Sequence, residues 1–434
     1  MNSRTPFYMK IIARFKNEFK SEFSRNFLIL FTGTGLSQVI PILVAPILTR
    51  LYTPEEFGLL ALFISTGLFM GNIATMQYDS AIMLPKREKD AINIMALSIL
   101  SVLAMTILTL FIVVVFNGNL TRLMGSVKMG FWLYLVPLYV FLTGLFRTLN
   151  IWASRMKQFK RLAMRNIMQS STTASTKLGI GFLTPINGGL IIGSLAGQFT
   201  ATIVLLNQTL RKDGLNFSVI SIKRILFNAK KYKDFPLYVN FQGFLDMFKD
   251  TGVKYIISNF YGAAILGTYS FTLGLLQKPA QLIGGAISQV YYQKAADTFN
   301  AKGDLWGLTK KIMLRLLLLS TIIFLPILLF GQVIFSFVFG AKWEMAGLYA
   351  QILTPWLISS FLVQFSTIIP QIVNKQKSFF ILSSIFNLLF FSTVLILSLL
   401  HKDFIYVLAF MTTLMVILIG YLFLWFKKII NEMK

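Results

Sequence analysis

The segment QGFLDMFKDTGVK, residues 242–254, decides the fold because it places charges inside one of many long apolar runs. Its four charged residues are Asp246, Lys249, Asp250 and Lys254. A charge at the centre of a bilayer costs about 2.5 to 3.5 kcal/mol on an insertion scale, so a helix that keeps four must shield them from lipid. The segment therefore predicts a membrane helix whose charges lie in a protein interior.

The polar residues of this segment share one side of an ideal helix. Together with Gln242 the charges fall within an arc of about 140°, and Phe244 and Phe248 lie on the other side. This pattern predicts that the polar side lines a cavity between two parts of the protein. The alternative is that acids and bases three or four positions apart form neutralising pairs that serve only the fold.

The composition excludes a soluble globular domain. Of the 434 residues, 56% are apolar, 15% are aromatic and only 13% are charged. The apolar runs recur at the length that spans a bilayer, so we identify a polytopic membrane protein. The chain contains no cysteine, which excludes disulfides and thiol chemistry. The first apolar run follows a polar, basic leader and lacks the cleavage pattern of a signal peptide.

Twelve apolar spans are predicted, in two sets of six. The first set comprises residues 27–48, 58–84, 91–116, 130–150, 164–185 and 187–209. The second set comprises residues 236–259, 263–293, 311–340, 345–371, 378–400 and 404–426. The predicted order is a basic leader (1–25), a six-helix bundle (26–210), a basic amphipathic linker (211–235), a second six-helix bundle (236–426) and a tail (427–434). The predicted fold class is an all-α membrane protein with 12 transmembrane helices.

Short sequence matches indicate that the two sets are repeats. Residues 57–59 match 266–268, residues 123–125 match 338–340, and residues 157–158 match 375–376, at offsets of 209, 215 and 218. Each set has an even number of spans, so both sets begin on the same side of the membrane. We therefore expect two bundles related by a pseudo-two-fold axis along the membrane normal.

The basic residues predict the orientation. The leader, the tail and the loops after even-numbered spans collect 32 of the 41 Lys and Arg residues. Because basic loops stay in the cytosol, both termini are expected to be cytosolic. Loop cations that face anionic headgroups also account for the net charge of +25 without any nucleic acid.

Three further charges lie in or beside apolar spans. Lys177 is central in the polar fifth span, and Lys278 stands mid-span in the eighth, directly before Pro279. A lone mid-span Lys is costly, and a carbonyl freed by the proline could serve as its partner. Asp79 ends the second span, where it either works in the cavity or marks the membrane boundary.

The chemistry of an enzyme is absent from the sequence. The single histidine, His401, and the lack of cysteine exclude a His or Cys metal centre and a Ser-His triad. No phosphate-binding glycine-rich loop is present, and the outer loops are short and poor in carboxylates. We therefore expect neither catalysis, nor a metal, nor a cofactor.

Four stretches carry a resemblance to a known family. They are Gln38, Pro41 and Pro46 with LTRLYTPEEFG at 48–58, YDSAIMLP at 78–85, residues 150–160 with Trp152, Lys157 and Phe159, and ISQVYY at 287–292. In this order they resemble the polysaccharide transporter family, the Wzx-type flippases of lipid-linked oligosaccharides. The resemblance covers most of the chain, and its first motif is specific.

The resemblance implies the fold shared with multidrug exporters, two six-helix bundles around a central cavity. It also implies outward movement of an undecaprenyl-pyrophosphate-linked oligosaccharide across the bacterial cytoplasmic membrane by alternating access, for surface polysaccharide such as O-antigen or capsule. The expected partners are this lipid-linked oligosaccharide, membrane lipids, H⁺ or Na⁺ as coupling ion, and the polysaccharide polymerase machinery.

Residue roles follow from combining this resemblance with the intramembrane charges. The expected substrate-cavity residues are Lys177, Gln242, Lys249, Lys254 and Lys278, and the expected coupling-ion residues are Asp79, Asp246 and Asp250. The alternative function is a cation-coupled antiporter of drugs or small molecules with the same fold. Such an antiporter is expected to have an acidic cavity, whereas four Lys stand against three Asp here.

Overall fold

A computed structural model of the protein describes residues 22–183, 188–214, 217–238 and 241–432. Every regular element in these ranges is a helix. The first eight are α1 (Glu22–Leu51), α2 (Pro54–Ala74), α3 (Tyr78–Ala81), α4 (Glu88–Leu123), α5 (Met129–Leu133), α6 (Val136–Arg155), α7 (Phe159–Leu183) and α8 (Gly189–Lys212). The others are α9 (Ile222–Lys231), α10 (Asp234–Tyr238), α11 (Phe241–Tyr261), α12 (Ala263–Asn300), α13 (Leu305–Phe339), α14 (Glu344–Gln364), α15 (Ile369–Ile372), α16 (Gln376–Leu399) and α17 (Phe404–Asn431). Most of the predicted leader, residues 1–21, lies outside the described ranges.

Many apolar helices make this a multi-pass membrane protein. In the described ranges, nine helical segments are long and apolar enough to cross a bilayer. Three further helices of more than 20 residues, α7, α11 and α12, do not meet that standard. These three carry Lys177, the four charges of residues 246–254, and Lys278. The helices that hold the central charges are thus also the least suited to face lipid.

The second predicted span, residues 58–84, extends past the end of the helix in the structure. Helix α2 begins at Pro54, where the side chain of Thr53 accepts from the Glu56 amide and the Glu56 side chain accepts from the Thr53 amide, a capping box. It ends at Ala74 rather than at residue 84. Met76 and Gln77 adopt the left-handed conformation, with φ of 48° and 59°, which stops the helix before the short α3.

The helices before the linker pack mainly on one another, and so do those after it. Within the first group, α1 packs on α7, α7 on α8, and α6 on α2, α4 and α8. Within the second, α14 packs on α12, α13 and α17, and α16 packs on α11 and α17. The principal contact between the groups is made by α2 with α12 and α11. We call the end where α1 starts and α17 finishes the terminal face, and the other end the opposite face.

Within the predicted linker, residues 222–231 form a helix at the surface of the protein. Helix α9 buries Ile225 at the terminal face against Tyr78 and Leu97. Its other apolar side chains, Leu226 and Phe227 among them, stay exposed beside four basic residues. A helix with exposed apolar side chains and Lys or Arg at its border is suited to lie in the headgroup region of a membrane.

Close backbone contact joins the two groups at the opposite face. Gly58 of α2 lies against the Ala263 carbonyl, and Gly267 of α12 lies against the carbonyl of Pro54 and the amide of Gly58. A Cβ atom at either glycine would overlap backbone atoms of the other helix. Glycine at these two positions is therefore what lets α2 and α12 approach so closely.

Two hydrogen-bonded contacts between the groups, which we call the corners, flank the glycine contact. The Asn259 side-chain amide donates to the carbonyls of residues 122 and 123, at 2.7 and 3.2 Å. The Arg50 guanidinium donates to the carbonyls of residues 338 and 337, at 2.9 and 3.5 Å. Each corner ties the end of one group's helix to the other group, so the opposite face is closed between the groups.

An aromatic cluster fills the space next to these corners. The rings of Phe57, Phe271 and Trp343 lie with centroids 4.5 to 5.3 Å apart. The indole nitrogen of Trp343 donates to the carbonyl of Thr49 at 2.9 Å, which satisfies its only polar atom. Such edge-to-face packing adds to the burial of apolar surface. The closure at this face combines apolar burial with backbone hydrogen bonds.

The glycine contact predicts the effect of Gly267→Val. The valine side chain would push α12 away from α2, so Leu123→Cys and Asn259→Cys introduced together should cross-link less in that background. Gly274→Val, on the same helix with no atom near its Cβ position, is the matched control and should preserve cross-linking. The measurement is cross-linking yield with a short bifunctional thiol reagent, since the chain has no native cysteine. Equal yields in both backgrounds would contradict the proposed closure.

Candidate functional site

Helix α11 separates its aromatic side from its charged side, as the sequence predicted. The ring of Phe248 lies 6.3 Å from that of Phe69 on α2 and 6.0 Å from that of Phe391 on α16. The Phe244 ring also contacts Phe69, at 5.6 Å. The aromatic side of α11 thus faces α2 of the first group and part of α16 in the second.

Three of the four charged residues in the segment 246–254, Lys249, Asp250 and Lys254, line a cavity of about 260 Å³. Its walls are Lys249, Asp250, Val253, Lys254, Tyr269, Leu273, Gln277, Trp356, Phe386, Asn387, Phe390 and Met415. All of these residues belong to α11, α12, α14, α16 and α17. The prediction placed these charges between the two groups of helices, but this cavity lies within the second group. The reason is that Phe244 and Phe248 occupy the side of α11 that meets α2.

The ion pairing within α11 also differs from the predicted spacing. Lys249 Nζ lies 3.2 Å from the carboxylate of the neighbouring Asp250, and 5.6 Å from the centroid of the Phe390 ring. The negative charge of Asp250, one helical turn away, acts favourably on the positive charge of Lys254. Asp246 accepts a hydrogen bond from the side-chain amide of Asn387 at 2.5 Å. Asn387 and the aromatic walls were not anticipated from the sequence, although Asn387 stands out as an amide inside an apolar run.

The Asp250 side chain is 64% exposed, against 20% for Lys249. It is the most accessible of the predicted coupling-ion residues. The side chain of Gln242, which was predicted to share this surface, lies outside the described ones.

Lys177 and Lys278 come together from different groups of helices. Lys177 lies on α7 and Lys278 on α12, and the positive charge of Lys278 acts unfavourably on that of Lys177. Within the described part of the chain, neither ammonium group has an ion-pair partner or a hydrogen-bond acceptor. Repulsion between two partly buried cations is unfavourable, so this arrangement suits an anion placed between them.

The backbone around Lys177 is held in place by its neighbours. The Tyr52 hydroxyl donates to the Lys177 carbonyl at 2.7 Å, and Gly193 of α8 leaves room for the Lys177 side-chain stem. Burial, with a further contribution from Glu56, raises the pKa of Tyr52, which lies between α1 and α2. Tyr52 therefore keeps the proton that it donates. The packing positions Lys177 without neutralising it.

Asp79 lies in a buried hydrogen-bonded network. Its carboxylate is 3.0 Å from the Arg147 guanidinium and accepts from the Thr75 hydroxyl at 2.8 Å. Arg147 also donates to the backbone and side-chain oxygens of Asn72. The Asn72 amide in turn donates to the sulfur of Met247 on α11, at 2.8 Å. Arg147 was not predicted as a site residue, because it lies near the end of the predicted span 130–150.

A second, larger cavity of about 540 Å³ lies between the groups. Its walls come from α2, α4, α5, α6, α11 and α16 and are mostly aliphatic or aromatic, with Tyr255 and Asn259 among the few polar residues. No group of three or more His, Asp or Glu side chains among the described residues could hold a metal ion. The charged groups described above are therefore the candidate site for a polar substrate or a proton.

Comparisons with known proteins give a family and a fold. A family model described as "Polysaccharide biosynthesis protein" matches residues 47–347. A multidrug resistance MATE-family transporter of the MOP superfamily, in an inward-facing conformation, is 13% identical with a TM-score of 0.72 over 91% of this chain and 95% of that chain. No curated protein matches the chain significantly in sequence.

Two other solved structures share the fold at lower similarity. An outward-facing multidrug resistance MATE-family transporter gives a TM-score of 0.55 at 13% identity, covering 94% of this chain and 96% of that chain. A MOP superfamily transporter from Pyrococcus furiosus gives 0.53 at 13% identity, with the same coverage. At these identities the likeness establishes the fold of a membrane transporter.

The Asp79 network predicts a stability difference between two carboxylates. Asp79→Ala leaves the mostly buried Arg147 without its counter-ion and should lower the free energy of unfolding by about 3 kcal/mol. Asp250→Ala, at an exposed ion pair, is the matched control and should cost less than about 1 kcal/mol. Thermal unfolding of the purified protein in detergent measures both. Equal loss in the two variants would mean that the Asp79 pair does not support the fold.

Proposed function

The chain belongs to the polysaccharide biosynthesis protein family, and from this premise we propose that it is a lipid-linked oligosaccharide flippase. It would move an oligosaccharide repeat unit on an undecaprenyl pyrophosphate carrier from the inner to the outer leaflet of the bacterial cytoplasmic membrane. The product would enter surface polysaccharide synthesis, where contact with the polymerase machinery is expected. The observation that carries this proposal is the pair of cations Lys177 and Lys278, which have no ion-pair partner among the residues that the structure describes.

Pyrophosphate is the part of this substrate that two lysines would recognise. It carries several negative charges on a compact group near headgroup depth, and charge-assisted hydrogen bonds from ammonium to phosphate oxygen are strong. Because Lys177 and Lys278 belong to different groups of helices, an anion between them would contact both groups at once. Binding would then relieve the repulsion between the lysines.

We infer a topology of 12 spans in two six-helix bundles, residues 26–210 and 236–426, related by a pseudo-two-fold axis. The corner contacts support the symmetry. Arg50 and Asn259 are 209 positions apart, and their acceptor carbonyls, 122–123 and 337–338, are 215 positions apart. These offsets equal those of the short matches in the sequence. Related contacts at related positions are expected when two copies of one bundle meet across an axis.

Alternating access is supported by the closed opposite face. With both termini in the cytosol, as the basic loops predict, the substrate cavity would open towards the cytosol in this conformation. The greater similarity to the inward-facing relative, with a TM-score of 0.72 against 0.55 for the outward-facing one, agrees with this assignment. Separation of Gly58 from Gly267 would be the step that releases substrate outward.

The coupling ion, H⁺ or Na⁺, would bind to an acidic residue. Asp250 is the accessible candidate for binding H⁺ or Na⁺, and its partner Lys249 would be released when Asp250 is neutralised. Asp246, bonded to Asn387, and Asp79, bonded to Arg147, would need to break buried contacts first. We therefore propose Asp250 as the first carboxylate to test for coupling.

A drug antiporter of the same fold is the competing function. The multidrug relatives favour it by fold alone, and the Pyrococcus furiosus relative is described as having a binding pocket of reverse polarity that suggests a different function. The charge of the cavity therefore distinguishes the functions of transporters that share this fold better than the arrangement of helices does. Two unneutralised cations favour an anionic substrate over a cationic drug.

Substitution of the two lysines tests the flippase proposal. Lys278→Leu and Lys177→Leu should each reduce export of surface polysaccharide, because a neutral side chain offers no charge-assisted contact to phosphate. Membrane abundance should stay equal or rise, since a mid-span Lys costs about 2.5 to 3.5 kcal/mol on insertion. Lys278→Arg should restore export better than Lys278→Gln. The measurement is surface polysaccharide per unit of protein in the membrane.

The matched control is Lys294→Leu, an exposed lysine near the end of the same helix as Lys278. It should export normally. Normal export by Lys278→Leu and Lys177→Leu together would overturn the proposal. Resistance to cationic drugs that depends on these lysines, without any change in polysaccharide, would favour the antiporter.

Single cysteines test the orientation. Lys302→Cys, between α12 and α13, should be shielded from an impermeant thiol reagent in intact cells, and Lys342→Cys, between α13 and α14, should react. Both residues are exposed in the structure, so accessibility does not limit the reaction. Labelling of position 302 from outside would refute cytosolic termini.

A further inference from the structure

We propose that the cavity beside Trp356 and Asn387 is a subsite for one sugar ring of the transported oligosaccharide. This inference rests on the proposed function and adds to it a second recognition site, separate from the Lys177 and Lys278 pair. The site is the cavity of about 260 Å³ within the second group of helices.

Aromatic side chains give the cavity the apolar wall that a sugar needs. Trp356 and Phe390 lie with ring centroids 5.9 Å apart, tilted by 46°, and Phe386 adds a third ring. A pyranose ring presents a face of C–H groups, which packs well on the electron-rich face of an aromatic ring. Trp356 is only half-buried, so part of its surface is free to be covered.

Polar side chains on the remaining walls match the hydroxyl groups of a sugar. Asn387 is held by its hydrogen bond to Asp246, which leaves its side-chain oxygen as an acceptor. Gln277 offers both a donor and an acceptor, Asp250 accepts and Lys254 donates. A ligand whose hydroxyl groups both donate and accept can satisfy this mixed set, whereas a bare phosphate can only accept.

The charges separate this subsite from the anion site. Lys249 is already paired with Asp250 at 3.2 Å, and Lys254 lies one turn from the same carboxylate. An anion entering here would meet the negative charge of Asp250 directly. The Lys177 and Lys278 pair has no such carboxylate among the described residues. The geometry therefore assigns the phosphate to the lysine pair and a sugar ring to the cavity.

The size of the cavity limits it to a single ring. Pockets for drug-sized ligands measure about 300 to 1,000 Å³, and this cavity is smaller. Polar and charged side chains share the lining about equally with aromatic and aliphatic ones, a mixture that suits a ring with a C–H face and hydroxyl groups at its edge. A long glycan would place one residue here and extend the rest towards open space.

Binding of simple glycosides to the full-length protein in lipid nanodiscs tests this assignment. The probes are the methyl glycosides of glucose, galactose, N-acetylglucosamine and glucuronic acid, observed by saturation-transfer difference NMR, with inorganic pyrophosphate as competitor. At least one glycoside should bind, and Trp356→Ala should weaken it about tenfold because the stacking surface is lost. Trp356→Phe should retain most of the binding.

Matched variants separate loss of the subsite from loss of the fold. Trp306→Ala removes an indole that packs on Phe423 outside the cavity and should bind glycoside as the unmodified protein does. Gln277→Leu keeps the side-chain volume, removes one lining amide and should also weaken binding, which serves if Trp356→Ala does not fold. Pyrophosphate should not displace the glycoside.

Three results would overturn the subsite. The first is that no glycoside binds. The second is that Trp356→Ala and Gln277→Leu bind glycoside as well as the unmodified protein does. The third is that pyrophosphate displaces the glycoside. The outcome is independent of the export assay. Glycoside binding can persist in a protein that does not export polysaccharide, and export can persist without this cavity, so failure of either proposal is recognised separately.

Discussion

The cost of removing an ammonium group from water is the constraint on which this structure depends. A chain that spans a bilayer many times and still keeps Lys177 and Lys278 inside its long helices must hold them away from lipid. The helices that carry them, α7 and α12, are among the three long ones too polar to cross a membrane alone, and other helices must cover them. The polar interior therefore determines which helices lie inside the protein and which face lipid.

A second constraint is the close approach of α2 and α12 at the opposite face. Gly58 and Gly267 allow backbone contact there, and the corners at Arg50 and Asn259 fasten it with hydrogen bonds to carbonyls of the other group. None of these contacts involves a buried charge, so they can open and close without the cost of desolvating an ion. Charges in the interior, with no buried charge at the closure, would suit a transporter that has a stable core and a movable end.

The sequence predicted the helical class, the two-sided character of α11 and the glycines at 58 and 267 as related positions. It did not predict that the cavity lies inside the second group, because a helical wheel gives the sides of one helix and not the helices that cover them. The pairing of Asp79 with Arg147 was missed for a similar reason. Their meeting depends on the left-handed turn at Met76 and Gln77, which ends α2 early.

Translocation of a fluorescent polyprenyl-pyrophosphate-linked sugar in proteoliposomes measures the proposed activity itself. Movement of the probe between leaflets is followed by the change in its accessibility to an impermeant quencher. We expect rapid movement by the unmodified protein, and movement no faster than in empty liposomes when Lys177 and Lys278 are both replaced by leucine. Equal translocation by the double variant, or none by the unmodified protein, would contradict the claim that these two lysines carry the anionic end of a lipid-linked oligosaccharide.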